Sequence, residues 1–264
     1  MKIESYVERL NFSGSLVPSD KLLTKLHFQH VQTIPFENIN NFVAQPVVLE
    51  TDALFDKIIF QKRGGYCYEL SGLFYALLLH LGFDAKLLRA KLFDTNELLE
   101  ESVHAVIEVN VQGQSWLLDV GYGIQGQLFP LAVIDAPQIQ HLTTYHLQLS
   151  NNDILLSKSK DDLLSKIMLI NRSEVNLDYF NQRNHFHQTN NESMFKKDLL
   201  CSLYSAQFGK SLKNKVYTYF ENDTKFSQVI GSINELSRLL NNEFSIVLNE
   251  GMLTALNHRL FIDK

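Results

Sequence analysis

Cysteine is scarce in this sequence. The 264 residues contain only Cys67 and Cys201, which lie far apart and in unlike contexts. This excludes a disulfide framework, and no Cys-x-x-Cys pair suggests a zinc site, so no metal is expected. Such cysteine usage fits a reducing compartment, and we expect a cytoplasmic protein.

Long runs of one residue class are missing as well. Residues 1–6 lack the apolar stretch of a signal peptide, and the richest apolar run, residues 73–81, is too short to span a bilayer. Lys and Arg number 24 against 29 Asp and Glu, for a formal charge of −5, without a long basic run. Neither a membrane nor a nucleic acid is therefore expected as a partner. The hydrophobic content of 45% is that of a soluble globular protein.

From residue 1 to about residue 82, apolar residues recur at the intervals of helices, so this region is predicted to be mainly helical. Ser19 and Thr51 are expected to cap helices within it, and Pro35 ends the first of these. Glu37 follows in a loop between apolar neighbours, where it could anchor the backbone or form the wall of a site. The anchor is favoured, because loop carboxylates commonly accept hydrogen bonds from backbone donors.

After Gly82 the period changes from helical to alternating, which predicts an antiparallel region. The predicted strands cover residues 84–92, 103–111, 115–120, 145–149 and 154–157. From about residue 190 the pattern is mixed, with a strand over 216–220, a turn at Asn222-Asp223 and a helix opened by a capping box over 232–235. The last region thus resembles a small α/β closing piece, and the whole chain is α+β.

Cys67 stands at the start of a predicted helix. From Leu70 to Leu81 the apolar residues recur at helical intervals, so Cys67 falls on the first turn, where free N–H groups and the helix dipole favour a thiolate. The preceding Gly64-Gly65 pair permits a sharp turn and the close approach of another molecule. A buried cysteine that merely packs is the alternative interpretation, and the partners of Cys67 decide between them.

His104 and Asp119 are predicted to be those partners. A hairpin centred on Gln112-Gly113 pairs Val106 with Asp119, and His104 then lies diagonally to Asp119 on the same face, about 7–8 Å away between backbones. Cys67, His104 and Asp119 would be a nucleophile, a base and an orienting carboxylate. A turn-capping role before Gly121 remains the alternative for Asp119. The other eight histidines, His27 among them, are assigned to surface or packing roles.

These motifs resemble those of the arylamine N-acetyltransferases. The matching segments are Pro35-Phe36-Glu37-Asn38, Arg63-Gly64-Gly65-Tyr66-Cys67, His104 at the head of a strand, and Asp119-Val120-Gly121-Tyr122-Gly123. The resemblance covers nearly the whole chain. It is to the bacterial type, because the long insertion of vertebrate members between barrel and lid is missing.

The resemblance implies a fold of three parts. These are a helical bundle over residues 1–83 that carries the cysteine, an antiparallel β-barrel over residues 84–190 that carries the histidine and the aspartate, and an α/β lid over residues 191–264. The catalytic core would resemble that of cysteine proteases.

The implied activity is a ping-pong reaction. Cys67 would take acetyl from acetyl-coenzyme A and pass it to an arylamine, arylhydrazine or arylhydroxylamine, with His104 as the base and Asp119 fixing its tautomer. Residues expected to contact the coenzyme or the acceptor by the same resemblance are Phe36, Gly121, Tyr122, Gly123, Phe186, Ser193 and Phe195.

Other functions remain open from the residues alone. An amide synthase or another acyltransferase could use the same three residues on an acyl group that coenzyme A does not carry. A cysteine hydrolase shares the order of the three residues but not the glycine motif, and a binding module would need Cys67 only for packing. The physiological acceptor, the acyl length and the oligomeric state are not evident from the sequence.

Overall fold

The structure, a computed structural model, describes residues 1–124, 126–160, 163–221 and 224–262. The predicted Asn222-Asp223 turn lies outside these residues. The α-helices are α1 Ile3–Arg9, α2 Asp20–Thr33, α3 Ile39–Phe42, α4 Thr51–Phe55, α5 Cys67–His80, α6 Asn181–Thr189, α7 Met194–Lys197, α8 Ile233–Phe244 and α9 Glu250–Asn257. π-Helical segments cover Asp56–Phe60 and His258–Ile262, and a 3-10 turn covers Leu177–Phe180. The strands are β1 Phe36–Glu37, β2 Asp84–Asp94, β3 Glu97–Leu98, β4 His104–Val111, β5 Gln114–Leu118, β6 Leu131–Ala132, β7 Gln138–Gln140, β8 Thr143–Ser150, β9 Asp153–Lys160, β10 Leu163–Asn171, β11 Leu200–Tyr204, β12 Phe208–Lys213, β13 Val216–Glu221 and β14 Thr224–Val229.

Helix α5 lies at the centre of the largest apolar core. Every residue from Cys67 to Phe74 is buried, and the helix ends before Gly82, whose φ of +85° is readily adopted only by glycine. The predicted cap at Ser19 is confirmed, since its side chain accepts a hydrogen bond from Leu22 N. The cap predicted at Thr51 is wrong by one residue: Thr51 is already helical, and Glu50 precedes it as the N-cap residue.

The middle of the chain forms one antiparallel sheet in the strand order β6-β5-β4-β2-β10-β9-β8-β7, with β3 beside β2. Its two edge strands are linked by a side chain. Gln138 on β7 accepts from Ala132 N on β6 at 2.7 Å and donates to Ala132 O at 2.8 Å. The sheet therefore curls into a nearly closed barrel, and its interior holds a separate apolar core.

The predicted hairpin has the predicted register. Ile107 faces Leu118 and Val111 faces Gln114, which is the pairing that an even loop at Gln112-Gly113 requires. The strand predicted over 115–120 ends earlier, because β5 stops at Leu118. Asp119 leaves the ladder since its N–H bonds to a histidine side chain instead of to a neighbouring strand.

A second sheet has five strands in the order β1-β11-β12-β13-β14, and four of them come from the last part of the chain. Its first strand is the short segment Phe36–Glu37, which pairs with β11 although more than 160 residues separate them. Helices α8 and α9 share an apolar core with this sheet. The architecture is α+β, as predicted, while the domain limits at 83/84 and 190/191 stay a prediction. Within the described ranges, no helix combines the length and the apolar character needed to cross a bilayer.

Candidate active site

Cys67 is the first residue of α5, with Tyr66 in the extended N-cap position. The carboxylate of Glu69 accepts from Tyr66 N at 3.2 Å, which closes the start of the helix. The other cysteine differs from it: Cys201 is buried on β11, and burial raises the pKa of its thiol well above the usual value. The helix dipole and the free N–H groups thus act on Cys67 alone.

The two glycines before Cys67 allow close packing within this chain. A Cβ atom on Gly64 would lie 1.9 Å from the Pro35 carbonyl oxygen, and one on Gly65 would lie 2.7 Å from Glu69 Cβ. The expectation that these glycines admit another molecule is wrong, because the space beside them holds this chain's own backbone and side chains. Their role is to bring the loop of Pro35 against the start of α5.

A buried group of charges fixes that loop. Arg63 Nε and Nη2 donate to Glu37 Oε1 at 3.0 and 2.8 Å, and Ile39 N donates to Glu37 Oε2 at 2.7 Å. Burial alone would raise the pKa of Glu37, but the neighbouring Arg63 and Lys57 charges outweigh it and lower the pKa below its usual value. Lys57 also binds Glu69 at 2.7 Å. Glu37 is therefore the structural anchor that was predicted.

Cys67, His104 and Asp119 come together as the hairpin register requires. His104 Nε2 lies 2.8 Å from Asp119 Oδ2, and the Cys67 side chain is close enough to the imidazole to act on its pKa. The three residues are 6%, 3% and 3% exposed, so this contact is shielded from water. Burial would lower the pKa of His104, but the Asp119 charge, the bonds to Asp119 and Cys67, and the Cys67 charge raise it to about 10.

Asp119 fills both roles that the sequence left open. Its Oδ2 atom orients His104, while its Oδ1 atom accepts from Gly121 N at 2.9 Å and so caps the turn after β5. The turn capping fixes the carboxylate plane, and the fixed plane aims Oδ2 at the imidazole. One side chain can do both because an ionised carboxylate has two acceptor oxygens.

His27 supports Asp119 from behind, a role that the sequence analysis missed. Its Nδ1–H donates to Leu128 O at 3.1 Å, and its Nε2 accepts from Asp119 N at 3.3 Å. The ring is fully buried on α2, and burial lowers the pKa of His27 to about 4, so it is neutral at physiological pH. Helical spacing indicated a buried face there, but no local pattern could connect it to a residue 92 positions away.

The thiol opens into a cavity of about 680 Å³. Every residue predicted for the site except Asp119 lines it, and Asp119 is hidden behind the imidazole. The predicted residues on its wall are Phe36, Cys67, His104, Gly121, Tyr122, Gly123, Phe186, Ser193 and Phe195. The structure thus brings together segments from all three parts of the chain.

Several predicted contacts have structural tasks on this wall. The Tyr122 ring stands edge-on to His104 at 5.9 Å between centroids. The Ser193 hydroxyl caps α7 through Phe195 N and bonds His187 Nδ1 at 3.0 Å. A Cβ atom on Gly121 would lie 2.7 Å from Cys67 Cα, so only glycine lets the turn after β5 reach the start of α5.

Two further wall residues lie on α6, Arg183 and His187, and neither was among the predicted contacts. His187 packs on Phe195 at 4.7 Å between ring centroids, and burial, followed by the charge of Arg183, lowers its pKa to about 4. The polar composition of 181–189 gave no signal for either residue. The same helix is held in place by Asn184, which bonds the Tyr66 hydroxyl and Val47 O.

Residues 21–253 match the family model described as N-acetyltransferase. The arylamine N-acetyltransferase pineal gland isozyme NAT-10 from Gallus gallus is 26% identical over 292 aligned positions, covering 99% of each chain. Among solved structures, the arylamine N-acetyltransferase of Salmonella typhimurium superposes with a TM-score of 0.89 at 23% identity, covering 97% of this chain and 98% of that one. The Mycobacterium marinum arylamine N-acetyltransferase in complex with CoA gives 0.86 at 23% identity, covering 98% and 99%.

Proposed function

Because this chain belongs to the arylamine N-acetyltransferase family, we propose that it transfers acetyl from acetyl-coenzyme A to an aromatic amine, hydrazine or hydroxylamine through a thioester on Cys67. The observation that carries the proposal is the buried Cys67–His104–Asp119 contact at the wall of an apolar cavity. The complex of the Mycobacterium marinum protein with CoA supports acetyl-coenzyme A as the donor substrate.

The first half of the reaction loads the cysteine. The raised pKa of His104 keeps the imidazole protonated beside Cys67, which stabilises the thiolate. The thiolate attacks the acetyl carbonyl carbon, and the carbonyl oxygen takes the negative charge near the N–H groups at the start of α5. When the intermediate collapses, the carbon–sulfur bond to the coenzyme breaks and His104 gives its proton to the departing sulfur. Cys67 then carries the acetyl group.

The second half of the reaction transfers the acetyl group from Cys67 to the amine. The amine nitrogen attacks the thioester carbon, His104 takes the proton from nitrogen, and the bond to Cys67 breaks to release the amide and the thiolate. Two of the effects that raise the pKa of His104 come from Cys67 itself. Both weaken once the sulfur is acylated. The imidazole, which has given its proton to the coenzyme sulfur, can then accept the proton of the amine.

The remaining wall residues shape the two substrate positions. Gly121 and Gly123 line the cavity beside Cys67, where the pantetheine arm would lie, and Tyr122 borders the acceptor position. Phe36, Phe186, Ser193 and Phe195 supply further parts of the wall. Asp119 keeps His104 in the tautomer that presents its other nitrogen to the sulfur.

Initial-rate kinetics test this proposal. With acetyl-coenzyme A and an arylamine varied together, we expect parallel double-reciprocal lines, because the coenzyme leaves before the amine reacts. Intersecting lines would contradict a thioester intermediate. Transfer from a simple ester donor at a higher kcat/KM than from acetyl-coenzyme A would instead favour an amide synthase or a related acyltransferase.

A further inference from the structure

Arg183 presents a positive charge to the wall of the cavity that contains Cys67. Its guanidinium stacks on the Phe186 ring, with Cζ 4.1 Å from the centroid, and no carboxylate among the described residues pairs with it. The Nε atom is buried and donates to no partner in the described part of the chain. Buried donors are normally satisfied, so the free Nε–H of this partly exposed side chain calls for an acceptor.

The other strongly basic groups on this wall are already matched. His104 is paired with Asp119, and Lys213 binds Asp198 at 3.0 Å. His187 is neutral at physiological pH, since burial and then the Arg183 charge lower its pKa to about 4. Among the described wall residues, Arg183 is thus the cation with no carboxylate partner.

The geometry of the stack favours a planar anion. Phe186 covers one face of the Arg183 guanidinium. The guanidinium N–H groups therefore remain available to an acceptor in the plane of the guanidinium. A carboxylate can bind two of these N–H groups side by side, whereas a neutral ring substituent can use at most one. The cavity wall includes the aromatic side chains of Phe186, Phe195 and Tyr122, which suits an aryl ring.

We infer that Arg183 binds an acid group on the acceptor, so that the preferred acceptors are aromatic amines carrying a ring carboxylate. This inference rests on the proposed function, because it assumes an aromatic amine in the cavity. A phosphate of the coenzyme is a second anion that Arg183 could bind. Measuring the two half-reactions separately distinguishes a coenzyme phosphate from an acceptor carboxylate. Acceptor recognition acts only after Cys67 has been acylated, whereas coenzyme recognition acts before.

The test uses acetylated enzyme, freed of coenzyme, and a matched pair of acceptors: 4-aminobenzoate and its ethyl ester. Wild type, Arg183→Met and the surface control Arg238→Met are compared in each half-reaction. We expect Arg183→Met to lower the rate constant for 4-aminobenzoate by about 10- to 100-fold, the value of a charge-assisted hydrogen bond, and to leave the ester rate within about twofold. Arg238→Met is expected to match wild type with both acceptors.

Three results would overturn the inference. An equal loss with acid and ester would make Arg183 a structural residue. A slower first half-reaction with unchanged acceptor discrimination would assign it to a coenzyme phosphate. If Arg183→Met reacts at wild-type rates, and the wild type shows no preference for 4-aminobenzoate over its ester, an anion site for the acceptor would be excluded. Failure of the wild type to form acetyl-Cys67 at all would refute the proposed function instead, which keeps the two claims separate.

Discussion

His104 lies between two groups that hold its proton in place. Asp119 attracts the imidazolium on one side and the Cys67 side chain acts on it from the other, inside a shielded region. An isolated imidazole would lose its proton near pH 6.5, and burial alone would make the loss easier. The high pKa of His104 is therefore a property of the three residues together.

This raised pKa predicts how stability depends on pH. A group whose pKa rises from 6.5 unfolded to about 10 folded contributes stability that is complete below pH 6.5 and is lost as pH rises through 10. The free energy of unfolding should thus fall between pH 6.5 and 10 more steeply in wild type than in His104→Gln, by at most about 1.4 kcal/mol per pH unit. Urea unfolding at pH 6.5, 8 and 9.5 measures both slopes. Equal slopes in the two proteins would show that the raised pKa is wrong.

His27 should affect activity through Asp119. In His27→Leu the Asp119 N–H loses its acceptor in a buried position, which costs about 1–3 kcal/mol and frees the orienting carboxylate. We expect kcat to fall about tenfold or more and the pH dependence of Cys67 alkylation to shift. His27→Gln should retain most activity, because an amide can accept from Asp119 N and donate to Leu128 O. Equal loss in both variants would indicate that the ring fills space only.

The turn after β5 and the first turn of α5 depend on each other. Gly121 lies so close to Cys67 that a methyl group would come 2.7 Å from its Cα atom. Gly121→Ala should therefore displace the cysteine, with about 1–3 kcal/mol lost in stability and most activity lost as well. Gly251→Ala on α9 is the control, since its Cβ would meet nothing closer than 3.4 Å. Thermal unfolding and acetyl transfer check both, and unchanged activity in Gly121→Ala would contradict the packing argument.

Strand β1 and the start of α5 are joined by the Arg63–Glu37 pair. Glu37→Ala would leave Arg63 charged and buried without its carboxylate, at a cost of about 3–5 kcal/mol. Urea unfolding should show this loss, while Glu192→Ala, which removes an exposed partner of Lys197, should change stability little. A small loss in Glu37→Ala would mean that water reaches Arg63.

Elements governed by local pattern could be predicted from the sequence. Helix α5 followed from the spacing of its apolar residues, and the β4–β5 hairpin followed from alternation and an even loop. The register then placed His104 beside Asp119 without any long-range information. The end of β5 was not predictable in this way, because a histidine on α2 takes the N–H of Asp119 out of the ladder.

At the scale of the whole molecule, the cavity is assembled by contacts that no local pattern encodes. Strand β1 joins a sheet built from the last third of the chain, and α6 brings Arg183 and His187 to the wall. Their positions depend on tertiary packing that fixes distant segments together. The resemblance to a known family indicated which wall residues would share a site. It indicated neither the hydrogen bond from Asp119 to His27 nor the charge of Arg183 on the wall.

The central claim is that Cys67 carries the acetyl group between the two substrates. The most direct measurement is the intact mass of the protein after incubation with acetyl-coenzyme A alone, followed by peptide mapping. We expect one acetyl group on the peptide that contains Cys67, its removal when an arylamine is added, and its absence in Cys67→Ala but not in Cys201→Ser. No adduct, or an adduct that persists in Cys67→Ala, would contradict this account.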